Sequence, residues 1–426
     1  MTASQFTVVF MALIVLNVAL RLWLDARQMR HVKAHRDNVP PQFAGRIPVA
    51  AHQKAADYTF ARTQLSIIED MIGTLITLAL TLGGGLAILF GIATSLADHP
   101  ILRDLALLIG YALVTGIASI PLGLYRTFVL EARFGFNKMT WKLWLADLGK
   151  GMALGAVLGL PLAALVLWLM EFAGSLWWLY AWLAWSAFQL LMLWLFPTVI
   201  APLFNKFTPL EDGPIKERIE NLLTRCGFQS KGLFVMDGSK RSSHGNAYFT
   251  GFGAGKRIVF FDTLLKTLEP QEVEAVLAHE LGHFKRRHIV KRIAWMFAAS
   301  LAFLWILSVL IDQPWFYAGL GVPLVAGAGA AASAVVHSNG LALLLFSIVM
   351  PLVTFPLSPL LSAYSRKHEF EADQYAAEQA SAGDLVQSLV KMYEDNASTL
   401  TPDPVHSAFY DSHPPAAVRI ARLQAG

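Results

Sequence analysis

The stretch AVLAHELGHFKRRHIVKRIAWMFAASLAFLWILSVLI, residues 275–311, decides the fold. From Ile289 onward it is an apolar run long enough to cross a bilayer as a helix, which takes about 20 residues. The part before it has helical periodicity. Val273, Leu277, Leu281 and Phe284 make one apolar stripe, and His279, Glu280 and His283 lie off it. Between the two parts sits the basic cluster KRRH, which stops the first helix from sliding into lipid. A membrane span thus follows directly on a helix carrying histidines at i and i+4.

The composition extends that conclusion to the whole chain. Of 426 residues, 55% are hydrophobic and only 15% charged, and the mean hydropathy is +0.49. A polytopic membrane protein is expected, because a soluble domain of this size carries more charge. Apolar runs occur near 5–24, 71–96, 104–124, 151–171, 175–200, 289–311 and 341–361, which makes seven spans. The first lacks a positive leader region and a small-residue cleavage site, so it is expected to be retained, with Arg21 snorkelling to the interface. Gly83, Gly84 and Gly85, inside the second, are expected to allow close helix packing.

Lysine and arginine alternate between the loops. Arg27, Arg30, Lys33 and Arg36 follow the first span, and Arg126, Arg133, Lys138, Lys142 and Lys150 follow the third. A long basic region follows the fifth, whereas MTAS, EFAGS and 312–340 have none. That asymmetry puts the N-terminus outside and the polar regions and C-terminus in the cytosol. It also accounts for the net charge of +4 without nucleic-acid binding, so none is expected. The single cysteine, Cys226, excludes an intrachain disulfide.

Two polar stretches remain to build a cytosolic domain. The division expected is five spans over 1–200, a catalytic segment over 201–288, two spans over 289–361, and a second catalytic segment over 362–426. The first stretch reads as a helix (PIKERIENLLTRCGF), short strands (GLFVMDG, NAYFTGF, KRIVFFD), and a helix opening at Pro270 with Glu272 at its positive end. The second reads as helices near 365–380 and 383–394 with a loop-rich end. YRTFVLEARFGFNKMTWKLWLADLGK, 125–150, reads as an interfacial amphipathic connector.

Histidines four apart on a helix direct their imidazoles at a common point, a spacing that suits zinc. Glu280 is offset around the helix and reaches a water rather than the ion, so it is placed to take the water's proton during attack on a carbonyl. With 12 histidines in the chain, a chance His-Glu-x-x-His is expected on the order of once in a hundred such sequences, so the site is read as zinc. A catalytic zinc needs a third protein ligand. SRKHEFEADQYA offers Glu369 and Asp373 on one helical face, with Glu371 pointing away; spacing alone leaves open whether these are ligands or a solvated face. His413 in isolation reads as a surface residue in a proline turn, and His244 as exposed and idle.

HELGH, SRKHEFEAD, NAYFTGFGAGKRIVFFDTLL, EARFGFNKMT and SHPPAAVRIARL together resemble the type I CAAX prenyl proteases, membrane-integral zinc metalloendopeptidases, over nearly the whole chain. The resemblance implies a mainly α, polytopic fold with seven transmembrane helices and a small α+β, zincin-like catalytic domain formed from two segments. It implies one zinc ion held by His279, His283 and Glu369, with Glu280 as general base and Asp373 holding a ligand ring. His413 would hydrogen-bond the developing oxyanion, and Arg419 would support the constellation. Asn246, Ala247 and Tyr248 would lie on an edge strand that pairs with an extended substrate. Spans enclosing a chamber would admit a lipid anchor.

The expected activity is hydrolysis near the C-terminus of lipid-modified or membrane-tethered proteins, by a monomer whose partners are the substrate, prenylated or not, and the bilayer. Quality-control proteolysis of membrane proteins is the second expectation. A non-proteolytic metal-binding protein or transporter is the third; it is disfavoured because, Arg21 and span edges such as Lys291 and Arg292 apart, the spans look almost free of ionisable groups. The Ala- and Leu-rich chain with short insertions points to a bacterial cytoplasmic membrane; a eukaryotic source would mean the endoplasmic reticulum.

Overall fold

A computed structural model describes residues 1–250, 257–322 and 338–425. Among them, seven helices are long and apolar enough to cross a membrane: Ala3–Ala34, Val49–Leu80, Pro100–Glu131, Trp141–Phe172, Gly174–Phe204, His288–Leu310 and Asn339–Gln379. The protein is mainly α, with one small sheet among the described residues. The loop 312–340, expected from its lack of Lys and Arg to lie outside, falls mostly outside the described residues, as do Gly251 and Phe252 of the expected strand.

The second span departs from the expected 71–96. Its helix runs Val49–Leu80, and Gly85–Leu96 forms a separate short helix. The glycines are the cause. Gly84 takes φ +78°, the left-handed conformation that ends helices, and a Cβ on Gly83 would lie 2.7 Å from the Ala79 carbonyl oxygen. They make a turn, not a packing face. The span gains its length toward its N-terminus instead, which brings Arg62, Glu69 and Asp70 into the helix. The expectation of nearly charge-free spans fails with it: Arg21 lies 3.5 Å from Asp70, and Arg126 pairs with Glu69. Mutual pairing is what makes such groups tolerable at depth.

Most of the expected 125–150 connector is helical. The third span continues in wide π-helical turns through Tyr125–Glu131, and the fourth starts at Trp141 behind the Thr140 N-cap. The seventh behaves similarly. Asn339–Thr354, capped by Ser338, passes through a 3-10 turn at Phe355–Leu357 into Ser358–Gln379. Pro356 and Pro359 sit in the opening turns of successive segments, where a missing N–H leaves no helical bond unmade. The helix expected separately near 365–380 is therefore an extension of the span.

On the site-bearing side, a four-stranded sheet has the order β1 (Phe207–Pro209), β2 (Leu233–Met236), β4 (Arg257–Phe261), β3 (Ala247–Thr250). β2 and β4 are parallel and the outer pairs antiparallel, with Tyr248 opposite Val259. β1 was not expected, nor were the helices Pro404–Tyr410 and Ala416–Ala425 in the loop-rich end. One core joins the sheet to the flanking helices through Ile258, Phe260, Val273, Leu277, Leu281, Leu385 and Ile420. Each such side chain contributes about 1.5–3 kcal/mol by burial. Phe43 and Ile47, from the loop after the first span, complete it. Phe284 departs from the predicted stripe: it is 39% exposed and meets Phe228 edge-on.

Candidate metal centre

The ligand helix, Pro270–Lys285, begins with a reciprocal cap. The Glu269 side chain accepts from the Glu272 N–H, while Glu272 accepts from the Glu269 N–H at 2.8 Å. Buried Glu274 receives Arg218 at 2.9 Å and Arg225 at 2.8 Å, fixing the far face. The Ser358–Gln379 helix, which carries the carboxylates, crosses at Gly282. A Cβ there would lie 2.9 Å from Ala372 Cα and 3.0 Å from its carbonyl oxygen. Only a residue without a side chain permits that approach.

The crossing brings His279, His283 and Glu369 together, and their candidate ligand atoms form a single compact group. Nε2 of His279 and Nε2 of His283 are 3.2 Å apart; Glu369 Oε2 is 3.4 Å from the first, and its Oε1 is 3.2 Å from the second. A tetrahedral ion with bonds of about 2.0–2.1 Å separates its ligands by about 3.3 Å. The His279–His283 spacing fits that edge length, and a Glu369 oxygen approaches each imidazole at a similar distance. Glu369 is only 5% exposed in its side chain, and its Oε2 accepts no hydrogen bond among the described residues, an arrangement that a cation would satisfy. The donor set suits a metal ion.

Asp373, one turn beyond Glu369, accepts from Nδ1 of His279 at 2.9 Å, which leaves Nε2 free to face the other ligands. Arg419 is buried and holds Asp373 through two hydrogen bonds, with Nε at 2.8 Å. Burial opposes the guanidinium charge, but Asp373 beside it holds its pKa above the ordinary value. His279 follows the same pattern in the metal-free chain. Burial lowers its pKa, yet the carboxylates of Asp373 and Glu369 beside it outweigh that and raise it to about 9.

Glu280 is half-buried on the same helix and makes no ion pair among the described residues. His413 is 63% exposed at the mouth of the site, with Nε2 3.4 Å from Glu369 Oε1. Ala247 and Tyr248 lie in β3, whose outer edge carries no strand among the described residues. Asn246 precedes it and is exposed, its Oδ1 accepting from the Ala247 N–H at 2.8 Å.

Three groups were missed or misplaced by sequence reasoning. His244 is not idle: it stacks on Phe136 at 4.4 Å, and Asn396 Oδ1 lies 3.2 Å from its Nδ1. Glu371 does not point away, since its Oε2 meets His288 Nε2 at 2.9 Å. His288, read as the end of a basic cluster, is buried and lies 3.0 Å from His283. The signal was hidden because Arg287 takes φ +57° and breaks the helix between the two histidines. On an unbroken helix, five residues place a side chain roughly 140° around the axis.

Beside His413 a cavity of about 530 Å³ opens, lined by Tyr58, Arg62, Arg126, Tyr393 and Asn396. A second, of about 570 Å³, is walled by Ile72, Ile76, Leu80 and Ile348 within the bundle; Arg126 borders both. The loop after the third span reaches the site as well, through an Asn137–Ser242 bridge just ahead of β3.

A largely buried His-His-Glu group near a strand edge that is unpaired among the described residues, completed by a membrane helix, points to the class: a membrane-embedded metallopeptidase. Comparison with known proteins agrees. Residues 28–206 match the family described as CAAX prenyl protease N-terminal, five membrane helices, and residues 209–426 match Peptidase family M48. The chain is 34% identical to the rice CAAX prenyl protease 1 homolog, over 96% of this chain and 95% of that protein. It is 32% identical to CAAX prenyl protease 1 of Saccharomyces cerevisiae, over 94% and 91%. The crystal structure of S. mikatae Ste24p superposes with a TM-score of 0.90 at 30% identity, covering 98% of this chain and 99% of that one. The chain belongs to the CAAX prenyl protease family, and is a multi-pass membrane metallopeptidase.

Proposed function

We propose that the protein is a zinc endopeptidase that cuts near the C-terminus of membrane-tethered substrates. The observation that carries this is the set of 3.2–3.4 Å separations among His279, His283 and Glu369, which suits one zinc ion. A zinc ion held there supplies Lewis acidity, polarising a carbonyl and acidifying water. Glu280 takes the proton of the attacking water and returns it to the leaving amine. The substrate lies extended along β3, with Asn246, Ala247 and Tyr248 supplying the pairing edge. His413 donates to the developing oxyanion from the mouth of the site. Arg419 neutralises Asp373, which keeps the His279 ring oriented.

Two features support a substrate with a hydrophobic anchor. The site lies where two membrane helices emerge, and the polar cavity beside His413 borders an apolar one inside the bundle. The lysine and arginine distribution supports a cytosolic site and an external N-terminus. The protein acts as a monomer.

The test is cleavage of a farnesylated CAAX peptide and an unprenylated control by purified protein, with zinc and with chelator. Chelator-sensitive cleavage that favours the farnesylated peptide is expected. Equal cleavage of both moves the function to quality-control proteolysis, and chelator-resistant cleavage overturns the metal mechanism.

A further inference from the structure

We propose that His288 and Glu371 form a hydrogen-bonded relay that selects the metal-ready tautomer of His283. Both are positioning residues, and the inference rests on the reading of His279, His283 and Glu369 as metal ligands.

A histidine that binds metal through one ring nitrogen needs a partner on the other. His279 has Asp373. Among the described residues, His283 has no carboxylate on its Nδ1; facing that atom at 3.0 Å is Nδ1 of His288. Two imidazole nitrogens at that distance share one proton, and the far end of the relay decides which ring carries it. Nε2 of His288 is 2.9 Å from Glu371 Oε2, a carboxylate that only accepts. His288 therefore keeps its proton on Nε2, and its Nδ1 is a bare acceptor. His283 must then donate from Nδ1. Its Nε2 is left with a lone pair directed at the point it shares with His279 and Glu369. The opposite tautomer would put a proton where the ion has to sit.

The fold is arranged to hold this relay. Arg287 takes a left-handed conformation, unusual for a residue with a side chain, and turns the chain so that His288 folds back beneath His283. His288 is 3% exposed, and its ring stacks on His368 at 3.9 Å with the planes 9° apart. Glu371 stands two residues from Glu369 on the same helix, so the relay joins the two elements that the ion would bridge.

The experiment uses the full-length protein in detergent. Zinc affinity is read by competition with a chromogenic chelator, zinc release from the rate of chelator capture, and integrity from the metal-free melting temperature. His288→Phe keeps the ring volume and the stack but offers no acceptor; His288→Asn restores an acceptor oxygen near the Nδ1 position; Glu371→Leu removes the far end. His288→Phe is expected to weaken zinc binding about 10–100-fold and speed release at an unchanged melting temperature. His288→Asn should recover most of that loss, and Glu371→Leu should fall between the two. Parent-like affinity in His288→Phe, or an Asn variant as weak as Phe, overturns the relay while leaving the metal centre standing. If the Phe variant does not fold, the Asn and Leu variants decide, because parent-like affinity and release in Glu371→Leu also overturn it. A parent protein that binds no zinc overturns the metal centre and the relay together.

Discussion

Replacing Gly282 with alanine should damage the metal centre without touching a ligand. The added Cβ would sit 2.9 Å from Ala372 Cα and 3.0 Å from its carbonyl oxygen. Carbon atoms pack at about 3.5–4.0 Å, so the two helices must part by roughly 0.6–1 Å. The obstructing atoms are backbone and cannot rotate away. Glu369 lies one turn from Ala372, and zinc sites hold their ligand distances to about 0.2 Å, so the displacement exceeds what the ion tolerates. Overpacking of this kind costs about 1–3 kcal/mol, offset in part by alanine's helix preference of about 1 kcal/mol. If the remainder falls on the site, zinc affinity drops by up to about 30-fold at 1.4 kcal/mol per decade. Zinc titration of the purified variant against a competing chelator measures this directly. Affinity within twofold of the parent, at an unchanged melting temperature, would refute the argument that Gly282 sets the helix crossing.

Other outcomes follow from the same geometry. Glu280→Gln should retain stoichiometric zinc and lose about 10²–10⁴-fold in kcat, read by metal analysis and peptide hydrolysis; turnover near the parent's would remove Glu280 from the chemistry. Glu369→Ala should lose the metal, and unchanged zinc content would reassign the third ligand. The metal-free pKa of His279 lies near 9, so below that pH an incoming ion must displace a proton. Zinc affinity should therefore fall by up to about tenfold per unit as pH drops from 9 toward 7, and a flat profile there would contradict the assignment. Arg419→Met leaves Asp373 buried without its cation and should cost about 3–5 kcal/mol, seen as a lower melting temperature.

Much of the architecture was legible because spans and ligand spacing are local signals. The sixth span and the two histidines four residues apart are set by one short stretch, and the structure places both where periodicity does. What sequence could not supply was non-local. Gly83 to Gly85 carry the same composition whether they pack helices or end one; Gly321, at φ +80°, closes on Thr81 from a distant loop, an approach invisible along the chain. Glu371 looked turned away because helical phase was counted from Glu369 alone. Its partner comes from the other side of a left-handed break at Arg287, which no propensity announces. Glu369 itself came from resemblance, since spacing left it undecided.

The seventh helix, which runs from Asn339 through a 3-10 turn to Gln379, has a consequence for biosynthesis. His279 and His283 are translated before the last two spans, whereas Glu369 and Asp373 lie on the far end of the final one. Until that helix has been threaded into the bilayer and has docked against Gly282, a nascent chain has two of the three proposed ligands and lacks Glu369. If the proposed ligand set is right, completion of the seventh helix is the step that assembles the site, and a chain stalled before it should be inert.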